Sequence, residues 1–171
     1  MSRPSNFNLP LCAAALLFAL LVAAPAEETV PAPAATAGQT NEPPPAKDSS
    51  AALATEAWSA FDRKDYAAAR AAVERCQSLY GAKAAEMQAK LTALPDKESA
   101  HDQWALNDVG TCTFLLGKIS EAEGKNEEAL TAYKTVVEQY LYSQCWDTQG
   151  WFWQPAVAAK ERIAFLSLEQ E

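Results

Sequence analysis

The chain has 171 residues, of which 49% are apolar, and its 22 acidic residues outnumber 14 basic ones to give a net charge of −8. That balance excludes nucleic acid as a natural partner, since a phosphate backbone is held by clustered Lys and Arg. One histidine, with no HExxH, CxxC or glycine-rich phosphate loop, leaves no motif for a metal, nucleotide or other cofactor.

Residues 1–26 read as a secretory signal peptide. Arg3 supplies the positive start, Leu9 to Ala24 the apolar run, and Ala24-Pro25-Ala26 the small residues before a cleavage point. The run is shorter than the roughly 20 residues that cross a bilayer, so no membrane span is expected after cleavage. Losing Arg3 takes the mature charge from −8 to −9 and implies export to the periplasm or beyond. Residues 27–50 are rich in Pro, Ala and Thr, hold little that a core could use, and read as a disordered linker. Residues 51–171 are then one domain, long enough to bury a core.

Within it the three-and-four spacing of apolar residues predicts only helices. The first runs from about Ser50 to Arg63 behind a Ser49 or Ser50 cap, with Leu53, Ala57, Trp58 and Phe61 on one stripe. Asp65 caps a second, Tyr66 to Leu79, which buries Ala69, Ala72, Val73 and Cys76 and stops at Gly81. A third, Ala82 to Leu94, carries Met87, Leu91 and Leu94 up to Pro95. The longest, about Ser99 to Glu123, turns Trp104, Val109, Cys112, Leu116 and Ile119 to one side. Gly124 breaks it, Asn126 caps the next, and Glu127 and Glu128 suit that helix's positive end. After Tyr140 comes an aromatic loop, and Pro155 opens a last helix with Val157, Ala158, Ile163 and Leu166. No run alternates like an amphipathic strand. The expected class is all-α: antiparallel helical hairpins with a C-terminal capping helix.

Leu116-Gly117, Gly124 and Ala129-x-x-x-Tyr133-x-x-Val136 resemble a tetratricopeptide helical hairpin. Gly117 and Ala129 admit close helix approach, while Leu116, Tyr133 and Val136 fill the space between hairpins. Tyr66 to Tyr80 is similar to a second rear helix, 60 residues earlier from Ala69 to Ala129, with Lys64 where the turn glycine is usual. Thr113, Ser120 and Leu141 depart from the usual Trp, Tyr and Pro. The words Trp104 to Gly110 and Gln144 to Trp153 also resemble a group of small exported bacterial tetratricopeptide proteins, some labelled beta-glucanase. Glycoside hydrolysis needs two carboxyls about 5 to 9.5 Å apart across a cleft. Asp102 and Asp108, six residues apart on one helix, are expected on different sides, and Asp147 has no evident partner. His101, beside Asp102, is expected at the surface or in a cap.

The resemblance implies a non-catalytic module that binds a protein partner or assists assembly. The candidate binding residues are Tyr142, Trp146, Asp147, Trp151 and Trp153, crowded into the loop after the hairpin. Such rings can grip a peptide or a sugar face, or can fold over and close the array. A role beside polysaccharide, using the loop as a stacking platform, is the alternative function. Three mature cysteines are an odd number for an oxidising compartment. Three buried thiols are the reading the apolar helix faces of Cys76 and Cys112 favour; a Cys112 to Cys145 disulfide, which would tie the loop to the hairpin, is the alternative.

Overall fold

The computed structural model describes residues 46–146 and 152–168, so the signal and most of the linker, like Asp147 and Trp151, lie outside the described residues. Helix α1 spans Ser50–Asp62. Extended Ser49 is its cap, and the serine hydroxyl accepts the Ala52 N–H at 3.2 Å. The linker's last residues already belong to the fold: Asp48 pairs with Arg75 at 3.0 Å and its carbonyl accepts the Tyr80 hydroxyl at 2.7 Å. Asp65 caps α2 through the Ala68 N–H at 3.1 Å.

Helix α2 spans Tyr66–Ala89 without a break at Gly81, so the expected stop and separate third helix are one continuous rod. A glycine ends a helix by adopting positive φ, and among the described glycines only Gly124 does so. Gly81 meets nothing, and Ala82, Ala84 and Ala85 carry the helix onward. Leu94 lies beyond the helix and is 39% exposed.

A 3-10 turn, Ala100–Gln103, leads into α3, Trp104–Ala122. Thirteen of its 19 residues are buried, on every side, which identifies α3 as the central helix. It packs against α1, α2, α4 and α5. The common stripe is only partly as expected: Val109, Cys112 and Ile119 are buried, while Leu116 is half-buried and Trp104 exposed. Helix α4 spans Asn126–Gln139; Asn126 is its first residue, and the cap position is Lys125, which makes no side-chain cap bond. The two acids of its first turn, Glu127 and Glu128, complement the positive end of the helix dipole instead. Helix α5, Pro155–Leu168, lies on α4 and buries Ala156, Ala159 and Leu166, leaving Val157 exposed. Two short strands, β1 (Cys145–Trp146) and β2 (Phe152–Trp153), pair antiparallel with Cys145 opposite Trp153 and Trp146 opposite Phe152. At two residues each they are too short for an alternation to show.

The fold is all-α, built from the hairpins α1/α2 and α3/α4. Their corners are alike. Lys64, at φ 61°, donates to the Phe61 carbonyl and Asp65 to that of Ala60; Gly124, at φ 73°, donates to Glu121 and Lys125 to Ser120. Ala69 in α2 and Ala129 in α4 are fully buried at corresponding places in the two hairpins. A methyl on Gly117 would run into the Tyr133 ring, so that glycine sets the α3/α4 separation. Thr113, in place of a large aromatic, is buried and accepts the Gln77 amide at 3.0 Å. One core joins α1, α2 and α3; a second, around Phe114, Tyr133 and Val136, joins α3, α4 and α5.

Candidate functional site

The segment that follows α4 is stitched to the start of α3 by groups that must be satisfied once buried. Ser143 sits against Gly110, where a Cβ would come within 2.6 Å of the serine Cβ. The buried Gln144 donates its backbone N–H to Asn107 Oδ1 and its side-chain amide to the Pro95 carbonyl, both at 2.8 Å. Asn107 in turn donates to the Ala100 carbonyl at 2.7 Å. These bonds set β1 beside the front end of α3.

An open cleft of about 370 Å³ lies between α1, the front of α3 and β1. Trp58 comes from α1, Trp104 from α3 and Trp146 from β1; Asp108, Thr111 and His101 contribute polar groups. Trp104 is 45% and Trp146 56% exposed, large values for indoles. Trp104, Asp108 and Thr111 stand at i, i+4 and i+7, which places all three on one face of α3.

Asp108 is half-buried and accepts the Ser50 hydroxyl on Oδ2 at 2.5 Å. Burial pushes its carboxyl above the usual range, and the Ser50 bond offsets part of that. Among the described ion pairs none involves Asp108, whereas Asp48, Glu86, Glu121 and Glu123 each have a basic partner. Asp102 is exposed on the 3-10 turn and does not line the cleft, so the two carboxyls do face different surroundings. Asp108 is the one carboxyl among the described lining residues.

The three described cysteines, Cys76, Cys112 and Cys145, are free thiols, as in the thiol reading of the sequence and without the alternative Cys112 to Cys145 bridge. Burial pushes Cys145 up to about 12, against a lowering contact with the Thr111 hydroxyl. The Cys112 thiol is raised well beyond its ordinary range by the neighbouring Cys76 thiol and by burial. Among the described residues no group of three or more His, Cys, Asp or Glu could hold a metal ion.

The candidate loop residues have separate situations. Trp146 lines the cleft. Trp153 instead packs edge-on against Phe114, ring centres 5.0 Å apart, and helps close the second core. Tyr142 is tied down, its N–H to Gln88 Oε1 and its hydroxyl to the Thr92 carbonyl, each at 3.0 Å. Asp147 and Trp151 lie outside the described residues. His101, expected at the surface, is exposed and tilts against Phe152, ring centres 5.4 Å apart.

Sequence reasoning missed Trp58, Trp104 and Asp108 as cleft residues, and Ser50 as the buried donor behind Asp108. The signal that could have found them is the Trp104, Asp108, Thr111 stripe, which puts a carboxyl and an indole on one helical face. Both tryptophans instead read as core because their spacing matches their apolar neighbours.

Comparison with protein-family models, with curated proteins and with solved structures finds no match to this chain.

Proposed function

We propose that this chain is an exported, non-catalytic binding module of tetratricopeptide type, and that a partner protein docks in the cleft between α1 and α3. The observation that carries this reading is the cleft itself: three indoles from three separate elements around one carboxyl, two of them on α1 and α3 and the third on β1. Exposed aromatic rings beside a desolvated polar group are what protein interfaces use as anchors. The matching corners at Lys64 and Gly124, and the small residues Ala69 and Ala129 offset by 60 positions, support the repeat reading. Export rests on the signal-like pattern of residues 1–26. Among the described residues no helix is long and apolar enough to cross a membrane.

The polysaccharide alternative has less support. A sugar platform needs flat, coplanar rings, and Trp146 stands at 72° to Phe152. The test is capture of envelope proteins from the native host on immobilised mature chain, with mass spectrometry of what is retained. A partner held by the wild type and lost with both Trp104→Ala and Trp146→Ala is the expected result. Retention by both variants would reject the cleft as the docking surface.

A further inference from the structure

Resting on that reading of the α1/α3 cleft, we propose that the group it takes is the ammonium of a lysine side chain carried by the partner protein. Asp108 is the half-buried carboxyl in the cleft wall, and no cation of the described chain pairs with it. A carboxylate so placed has lost part of its hydration and gained only one hydroxyl donor, Ser50, in exchange. A cation entering from solvent would supply the missing charge where the surroundings screen it least.

The walls suit the same guest. Trp58, Trp104 and Trp146 present indole rings, the best of the aromatic side chains at attracting a cation, and they pack against methylene groups as well. The geometry also favours lysine over arginine. A guanidinium's two parallel bonds would have to share Oδ2 with the Ser50 hydroxyl. A compact ammonium needs one oxygen and reaches it on a flexible stem. Finally, a second hollow of about 360 Å³ adjoins the cleft, sharing His101 and Trp146 and adding Lys97 and Phe152. The surface therefore continues past the carboxyl, with room for residues that flank a lysine in a chain.

The test uses the mature protein and the peptide acetyl-Gly-Ala-Lys-Ala-Gly-amide, followed by intrinsic tryptophan fluorescence. A saturable shift is expected, at least about tenfold weaker with norleucine in place of lysine and with Asp108→Asn protein. The asparagine keeps an acceptor for Ser50, so its melting temperature at neutral pH should equal or exceed the wild type's, which separates lost binding from lost folding. Equal binding of the norleucine peptide, equal binding by Asp108→Asn, or no shift up to about 10 mM lysine peptide would each overturn the proposal. Choline or butylammonium binding as tightly as the peptide would overturn the protein-borne source. A partner captured by the wild type and unaffected by acetylation of its lysines would sink the lysine inference while leaving the cleft reading in place. Indifference to Trp104→Ala would sink the cleft reading itself.

Discussion

Asp108 carries a pH dependence whose sign follows from its surroundings. Burial raises the folded-state carboxyl above its unfolded value, so the ionised form weighs against folding. That penalty is fully present above the folded pKa and is relieved as pH falls through it toward the ordinary carboxylate range. Asp108→Asn should therefore be the more stable protein at about pH 7, with the difference closing by about pH 4. Paired urea titrations across that range measure it. The buried Cys112 thiol and the half-buried Cys145 thiol, both raised, stay protonated throughout. Lys64 offers a second residue-level test. Its φ of 61° disfavours a side chain, and the matching corner uses Gly124. Lys64→Gly should stabilise by about 0.5–1 kcal/mol, read as a higher urea midpoint at unchanged m-value.

Helix α2 shows how an element overrides one of its residues. Gly81 reads as a stop, yet the helix passes through it because the turn that would need positive φ is absent and the flanking alanines favour helix. Gly81→Ala, with no atom within 4 Å of the added methyl, should stabilise by about 0.5–1 kcal/mol. An unchanged or lower urea midpoint would mean that Gly81 is needed as a bend. The caps at Ser49 and Asp65, the break at Gly124 and the start at Pro155 were all legible, since each depends on side chains within a few positions. Asn126 was misplaced by one position, and the β1/β2 pair left no periodic trace.

The second core of the molecule is closed by α5 together with Trp153, while the nearby Trp146 belongs to the cleft. Their substitutions should part accordingly. Trp153→Ala should lose about 2–4 kcal/mol through vacated packing on Phe114, and Trp146→Ala about 0.5 kcal/mol or less. Thermal melts of both variants decide the matter, and equal losses would make the whole loop a cap. Most helix starts, the hairpin corners and the all-α class were determined by the sequence alone, because the 3.6-residue period and the cap bonds act over a few residues, whereas the continuity of α2 through Gly81 was not. The cleft was decided only by tertiary structure. Ser50 meets Asp108 across 58 positions and Gln144 meets Asn107 across 37. No local pattern encodes such a meeting; it exists because close-packed helices bring those faces together and leave buried polar groups to find partners there.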